Sequence, residues 1–311
     1  MILKSQYSSY SLERICGLFD ISRQGYNKHI NNFKQELLES SFILEKVREI
    51  RKDHSRLGGR KLYHMIKPEI KKADIKLGRD KFYNILSDNN LLIKTSRKRV
   101  RTTYSLSWLK KHNNLIKEQK AKRINEIWVS DITYWNIGKS FLYIHFITDA
   151  FSKRIMGYSV SERMQVKDIL PSLEMALDKV GTIKDSLIHH SDRGSQYCSS
   201  VYTGILKRSN IKISMTESGD PLENPLAERI NGIIKQEYLQ YVKIQNIKKA
   251  RKELSKAVEL YNNIRPHMSC NYHTPNEIYE GKNLPKILWK NYYNNTSVNF
   301  CQDDEKVVNL C

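Results

Sequence analysis

The spacing of apolar residues changes near position 125, and this change constrains the fold more than any other feature of the sequence. Before it, apolar side chains recur at helical spacing, as Leu12, Ile15 and Phe19 do. After it, the segment 127–135 alternates, so that residues such as Ile127 and Val129 share one face of a strand. With 311 residues the chain is long enough for two or three domains. The sequence therefore predicts a helical first part and an α/β second part.

The helical part divides into three predicted segments. Residues 1–35 suggest a helix-turn-helix-like segment, with a short first helix and a second one capped by Ser22, although an ordinary helical hairpin fits this pattern equally well. Residues 40–94 form a helical DNA-binding segment that starts with a separate amphipathic helix over 42–50. Residues 95–123 are rich in Lys and Arg and poor in apolar side chains, so we interpret them as a basic linker that follows phosphates.

The charge of the chain is concentrated in its first part. The formal net charge is +20, and residues 1–125 hold 29 Lys and Arg against 12 Asp and Glu, while residues 126–311 hold 24 against 21. Such an asymmetry indicates that the first part binds a polyanion. Solvated helix faces are the simplest alternative, and a membrane surface is disfavoured because no helix pairs a basic face with a strongly aromatic one. Nucleic acid is the favoured partner.

Composition excludes several classes of protein. Hydrophobic residues make up 40% and charged residues 28%, as in a folded, non-membrane chain. No apolar run approaches the roughly 18 residues of a membrane span, and the N-terminus lacks the apolar region of a secretion signal. The five cysteines include no CxxC pair, which argues against a zinc site or a disulfide framework. We expect a cytoplasmic protein, neither a membrane protein nor a secreted scaffold.

The second part, over residues 124–282, has the element order of a ribonuclease-H-like layered α/β domain. Three neighbouring strands with short turns predict an antiparallel meander, and helices then alternate with two further strands. The expected fold is a mixed five-stranded sheet with helices, preceded by all-α segments. A helix is expected to begin at Asn224, as its cap, with Pro225 in the first helical position. Residues 283–311 are a C-terminal tail without a clear pattern.

Three acidic residues occupy positions where their chemistry is informative. Asp131 lies in the middle of an apolar strand, Asp192 directly follows the strand 186–191, and Glu228 lies one turn into the helix that begins after Asn224. These positions converge at one edge of a sheet, and carboxylate oxygens suit Mg²⁺ or Mn²⁺. Each residue also has a structural explanation: a salt-bridged strand residue, a turn cap and a surface residue favoured by the helix dipole. The joint pattern favours a phosphoryl-transfer site.

The sequence around these acids resembles that of a known family. Segment 128–134 (WVSDITY) resembles the W-x-x-D-x-T-Y entry of integrase-type cores, and segments 190–197 (HSDRGSQY) and 224–229 (NPLAER) resemble their second and third acid motifs. The separation of 35 residues between Asp192 and Glu228 is typical of that family. The C-terminal segments YNNIRPH and TP, the helical segment GGRKL near position 60, and a lysine seven positions after Glu228 also match. The chain resembles a DDE transposase of the insertion-sequence family numbered three, its open-reading-frame-B product.

The resemblance implies a set of functional residues. Asp131, Asp192 and Glu228 would be the catalytic ligands of two Mg²⁺ or Mn²⁺ ions. Water would first cut a transposon end, and the resulting 3′-hydroxyl would then attack a second phosphodiester. Six further side chains would contact DNA: Lys235, Arg193, Gln196, Asn231, Arg60 and Lys61. Among them, Lys235 matches the usual basic residue of the family. Arg193 could also orient Asp192.

The resemblance also implies partners, and other functions remain open. The chain would bind transposon ends and target DNA, work as a homo-oligomer on DNA, and cooperate with the product of an upstream reading frame A. A DNA-binding regulator with an inactive nuclease-like core is one alternative, and a ribonuclease-H-type nuclease is another. A retroviral integrase is a poorer match because no His-His-Cys-Cys zinc module is present. The pair His189 and His190 lacks metal-ligand spacing and is interpreted as packing or DNA-facing.

Overall fold

The computed structural model describes residues 10–93, 112–117, 119–138, 140–181, 183, 186–217 and 223–281. The chain separates into two compact units, one formed by residues 1–101 with Gln236–Tyr238 and the other by the remainder. Most of the predicted basic linker and all of the predicted C-terminal tail lie outside the described residues, so the domain boundaries remain predictions. None of the described helices is both long enough and apolar enough to cross a membrane.

The first unit is helical and has its own apolar core. Its helices are α1 (Leu12–Leu18), α2 (Arg23–Asp53), α3 (Gly59–Lys72) and α4 (Arg79–Asp88). The core is built by apolar side chains that these helices turn toward one another, among them Ile43, Val47, Leu62, Ile66, Phe82 and Leu86. The amphipathic faces of three of these helices, α2, α3 and α4, thus bury one another, as the periodicity predicts.

The prediction of two separate helices after Ser22 is wrong. Ser22 does cap the helix, since its hydroxyl accepts from the backbone N–H of Gly25 at 3.0 Å. The helix then continues without a break for 31 residues, as far as Asp53. The stretch 34–39 (KQELLE) that joins the two predicted helices consists of good helix formers without glycine or proline, so nothing in it ends a helix. One long helix crosses the predicted boundary between residues 35 and 40.

The second unit is built on a mixed five-stranded sheet, which confirms the ribonuclease-H-like prediction. The strands are β1 (Ile127–Asn136), β2 (Phe141–Asp149), β3 (Ile155–Ser161), β4 (Leu187–Ser191) and β5 (Ile211–Met215). Their spatial order is β3-β2-β1-β4-β5. The first three strands pair antiparallel, whereas β4 pairs parallel with β1 and β5 parallel with β4. Strand β1 therefore lies at the centre, between the meander and the parallel half.

Helices surround this sheet. They are α5 (Val166–Val180), α6 (Ser195–Cys198), α7 (Ser200–Arg208), α8 (Pro225–Ile233), α9 (Ile247–Asn263) and α10 (Pro275–Tyr279). Helices α5, α6 and α7 contribute to one apolar core with Trp128 of β1 and Leu187 of β4. The approach of α5 is close enough to require glycine in β3, because a Cβ on Gly157 would lie 1.8 Å from the carbonyl oxygen of Ser172.

The start and the continuation of α8 differ from the prediction. Asn224 occupies the cap position, but its side chain does not cap the helix. Instead, its amide Nδ2 donates to the carbonyl oxygen of Ser130 at 2.9 Å, which fixes the start of α8 to the central strand. After Ile233 the helix continues as a π-helix over Ile234–Leu239, a form that is frequent at functional sites.

Candidate active site

The two aspartates meet because β1 and β4 are parallel neighbours. Val129 of β1 lies opposite His190 of β4, so the same register, continued by two residues, places Asp131 beside Asp192. Adjacent strands lie about 4.8 Å apart. The carboxyl end of β4 therefore presents Asp192 next to the middle of the longer strand β1. The sequence prediction that these residues share one edge follows from this pairing.

The Asp131 carboxyl lies in a low-dielectric, negatively charged environment. Burial raises its pKa to about 8, and the nearby carboxylates of Asp192 and Glu228 raise it as well. The backbone N–H of Ile132 and the side chain of Asn231 act in the opposite direction. Asn231 donates from Nδ2 to Oδ2 of Asp131 at 2.7 Å. Two further carboxylates thus act on Asp131 at short range, and a bound cation would relieve this repulsion.

Asp192 is held by the turn that follows β4. Its Oδ1 accepts a hydrogen bond from the backbone N–H of Gly194 at 2.9 Å. Burial raises the pKa of Asp192, and this hydrogen bond opposes the rise. Gly194 is tightly packed here, because a Cβ would lie 3.0 Å from Asp192 Oδ1 and 3.1 Å from Gln196 Oε1. The turn therefore restricts where the carboxylate can point.

Helix α8 and the start of the π-helix bring three polar side chains to the same strand. Glu228, Asn231 and Lys235 are spaced i, i+3 and i+7, which places them along one helix face. Asn231 contacts Asp131, and Lys235 Nζ donates to Thr133 Oγ1 at 2.6 Å, two residues further along β1. Burial lowers the pKa of Lys235, while the charge of Asp131 opposes that change. This face therefore covers Asp131 and Thr133.

The three carboxylates provide the donor set that Mg²⁺ or Mn²⁺ prefers. Their side chains are not yet gathered around one point: within the described ranges, no three Asp, Glu, His or Cys side chains lie close enough to hold a metal ion as they stand. Glu228 is exposed in the first turn of α8, whereas Asp131 and Asp192 are half-buried. A glutamate side chain is long enough to rotate toward the aspartates. The chemistry of the three carboxylates therefore fits a divalent cation, although the side chains are not gathered around one point.

The remaining predicted residues occupy different environments. Gln196 is buried, and its Nε2 donates to the carbonyl oxygen of Met164 at 2.8 Å. This hydrogen bond holds α6 to the backbone at Met164. Arg193 makes no hydrogen bond to Asp192, and its Nε is buried without a partner in the described structure. Arg60 and Lys61 lie in α3 of the helical unit, where Lys61 Nζ pairs with Glu237 Oε1 at 3.2 Å. The DNA contacts of all four remain predictions.

A buried polar network beneath the site was not predicted from the sequence. Ser130, the neighbour of Asp131, places its Oγ 2.8 Å from His145 Nε2, and the other nitrogen of His145 contacts Ser172 of α5. Tyr197 contacts Ser130 at 3.4 Å, and burial raises its pKa well above the ordinary value. These residues are spread over four elements. Only an unusual number of polar residues in apolar strands could have indicated the network.

The adjacent histidines of β4 belong to the packed interior. His189 accepts or donates at Nε2 toward Tyr202 OH at 3.0 Å, and burial lowers its pKa to about 3. His190 contacts Ser214 Oγ at 2.9 Å, and burial lowers its pKa too. Both rings are neutral near pH 7 and hydrogen-bonded within the protein. These contacts favour the packing interpretation of the pair over the DNA-facing one.

A mixed five-stranded sheet that presents two aspartates, with a glutamate on the helix across the same strand, defines an integrase-type catalytic core. Two integrase core domain families match the chain, over residues 121–221 and 209–275. The chain belongs to the insertion-sequence transposases with an integrase core.

The sequence matches to known proteins extend beyond the integrase core. The insertion element IS600 31 kDa protein of Shigella sonnei is 31% identical over 255 residues, covering 81% of this chain and 93% of that protein. The transposase for insertion sequence element IS629 of Shigella sonnei is 36% identical over 170 residues, covering 54% of this chain and 56% of that protein. The catalytic core domain of HTLV-2 integrase in complex with magnesium is 22% identical, covers 51% of this chain and 98% of that chain, and has a TM-score of 0.41. The family assignment stands on the sequence matches.

Proposed function

We propose that this transposase cleaves DNA at the ends of its element and joins them to a target, with Asp131, Asp192 and Glu228 as the ligands of divalent cations. The observation that carries this proposal is the parallel pairing of β1 with β4, which places Asp131 beside Asp192 under the helix face that carries Glu228 and Asn231. Burial and two neighbouring carboxylates raise the pKa of Asp131 to about 8. A protein gains nothing in stability from such a cluster, and a divalent cation offsets the repulsion.

The reaction depends on divalent cations, and we propose two Mg²⁺ or Mn²⁺ ions. Bound ions would activate the attacking oxygen and stabilise the leaving oxygen. In each step one P–O bond forms and one breaks: water releases a 3′-hydroxyl at the transposon end, and that hydroxyl then displaces a 3′-oxygen in the target. Asn231 orients Asp131, and Gly194 restricts Asp192. Lys235 holds a phosphate near Thr133, since its ammonium already lies beside that residue.

The proposed partners follow from this chemistry. The substrates are transposon ends and target DNA, in the cytoplasm of a bacterium and on its nucleoid. Joining two ends requires at least two active sites, so a homo-oligomer assembles on DNA. The product of an upstream reading frame A contributes to end recognition.

Substitution of the three acids tests the proposal. Asp131→Asn, Asp192→Asn and Glu228→Gln each keep the shape of the side chain and remove its charge. Each variant is expected to bind DNA as the wild type does and to lose strand transfer in Mg²⁺ by at least 10³-fold, as expected for groups that stabilise developing charge. Binding is measured by gel shift, and joining is measured with labelled oligonucleotide ends and a plasmid target.

Two exposed acids of α5 provide the matched control. Glu174→Gln and Asp178→Asn make the same chemical changes in the same unit and should leave joining unchanged. Joining near the wild-type rate by any of the three site variants would contradict the proposal. Transposition in cells by a variant that carries all three site substitutions would favour the DNA-binding regulator. Cleavage of the RNA strand of an RNA–DNA hybrid, without any joined product, would favour the ribonuclease.

A further inference from the structure

A strongly basic stretch lies inside the catalytic unit, away from the three acids. Between Lys243 and Lys256 the sequence holds six Lys and Arg and a single acid, Glu253, a net charge of +5. The whole of residues 126–311 carries a net charge of only +3, so the rest of that part is slightly negative. Within residues 126–311 the positive charge is therefore concentrated at this stretch, most of which is helix α9.

The basic side chains of α9 lie on its outward face. Lys248, Arg251 and Lys252 have i, i+3, i+4 spacing and are all exposed. Ala250 and Leu254, on the opposite face, are fully buried. None of the ion pairs found among the described residues involves these three cations. We call Lys248, Arg251 and Lys252 the α9 basic face.

The α9 basic face stands on the same side of the sheet as the site. Asp131 of β1 lies opposite Phe146 of β2, and Phe146 lies opposite Tyr158 of β3. Directly opposed residues of antiparallel strands project to one face of a sheet. Tyr158 in turn donates its hydroxyl to Ser255 Oγ of α9 at 3.0 Å. Helix α9 therefore covers the face that carries Asp131.

The distance along the sheet is short on the scale of DNA. Two strand spacings separate β1 from β3, which amounts to about 10 Å, or about three base pairs of duplex. A duplex with one phosphodiester at Asp131 and its axis running across the strands toward β3 would pass β3 within a single helical turn, about 34 Å. The face has the positive charge that backbone phosphates attract.

We infer that the α9 basic face binds the backbone of the duplex DNA whose strand lies in the active site. This inference rests on the proposed function, because the DNA is the substrate proposed above. Contacts with phosphates position a duplex without reading its sequence. The helical first part is then not the sole DNA-binding surface of the chain.

The experiment compares two triple variants of the full chain. Lys248→Gln/Arg251→Gln/Lys252→Gln removes the α9 basic face. Lys207→Gln/Arg208→Gln/Lys212→Gln removes the same charge from α7 and β5, at the opposite edge of the sheet, where these side chains are also exposed. Binding to a 40-base-pair duplex of arbitrary sequence is measured by fluorescence anisotropy across a series of salt concentrations, without divalent cations.

The α9 triple variant is expected to bind about tenfold more weakly at low salt. Its slope of log affinity against log salt should be smaller by about 2 to 3, since each lost phosphate contact removes about 0.9. The control triple should keep the slope and change affinity less than threefold. Lys248→Arg/Lys252→Arg, which keeps both charges, should bind as the wild type does.

Equal losses in the two triple variants would overturn the inference, because net charge alone would then explain them. Unchanged binding by the α9 triple would overturn it as well and would leave an anionic protein as the partner of this face. Thermal unfolding of each variant confirms that the fold is retained. The failure of this inference can be distinguished from the failure of the proposed function. The assay measures DNA binding without divalent cations, in which Asp131→Asn should bind as the wild type does, whereas the proposed function is tested by strand joining.

Discussion

At the scale of single residues, Asn231 is the side chain whose role changed most between sequence and structure. The sequence suggested a contact with DNA, whereas its amide donates to Asp131 at 2.7 Å. That hydrogen bond favours the charged carboxylate, which is the form that binds a cation. Asn231 therefore acts through Asp131, as a positioning residue.

Replacing Asn231 by alanine should weaken cation binding more than DNA binding. Without this hydrogen bond the charged form of the Asp131 carboxylate is less stable. The Mg²⁺ concentration that gives half-maximal joining should therefore rise about 10- to 100-fold, the usual cost of removing a hydrogen-bond partner of a metal ligand. Asn231→Asp should be at least as damaging, because it places a fourth carboxylate at the site. Asn263→Ala, an exposed asparagine of α9, is the control. A weaker DNA affinity with unchanged Mg²⁺ dependence would show that Asn231 contacts DNA instead.

At the scale of elements, polar contacts fix the helices to the sheet around the site. His145 of β2 joins β1 to α5 through Ser130 and Ser172. Burial, together with the neighbouring His189, lowers the pKa of His145 to about 3. The folded protein therefore keeps this ring neutral in mild acid, whereas the unfolded chain takes up a proton near pH 6.5. Because the unfolded state binds the proton, acid destabilises the native contact between these elements.

The His145→Gln variant isolates this effect. It should be less stable than the wild type at pH 7 by about 1–3 kcal/mol, because buried hydrogen bonds are lost. Below pH 6.5 this difference should shrink by about 1.4 kcal/mol per pH unit, since only the wild type loses stability through His145. Urea unfolding at pH 7 and pH 5 measures this difference in the free energy of unfolding. Aspartates that titrate in this range are present in both proteins, so their contributions to the difference cancel. His29→Gln, at an exposed histidine, should show no difference at either pH. A constant difference for His145→Gln would contradict the neutral ring.

The sequence predicted elements well where a local pattern determines them. The capping box at Thr274 is present, as its hydroxyl accepts from Glu277 N at 3.3 Å. The side-chain cap at Asn224 was wrong because Nδ2 of its amide donates to the carbonyl oxygen of Ser130, 94 positions away, and in this orientation Oδ1 accepts no hydrogen bond from the helix. The break in α2 was wrong because the stretch 34–39 contains no residue that ends a helix. The π-helix and the His145 network depend on packing between distant segments, and no local pattern reports such packing.

At the scale of the whole molecule, charge and chemistry are divided between the two parts of the chain. The first 125 residues carry most of the positive charge, and the near-neutral remainder holds the acidic site. The three acids could be proposed as a site from the sequence because their spacing and the motifs around them match a family. The basic stretch that contains the α9 basic face is visible in the sequence, but its position on the same side of the sheet as Asp131 is not, because that position depends on the pairing of β1, β2 and β3 and on the contact of α9 with β3.

The central claim is that the three acids bind the cations that carry out joining, and a change of metal preference tests it most directly. Asp192→Cys replaces a hard oxygen ligand by a thiolate, which suits softer ions than Mg²⁺. We predict that this variant loses strand transfer in Mg²⁺ and regains part of it in Mn²⁺, while Asp192→Ala is inactive in both. Unimpaired joining by Asp192→Cys in Mg²⁺, or no recovery in Mn²⁺ beyond that of Asp192→Ala, would contradict direct cation binding by Asp192.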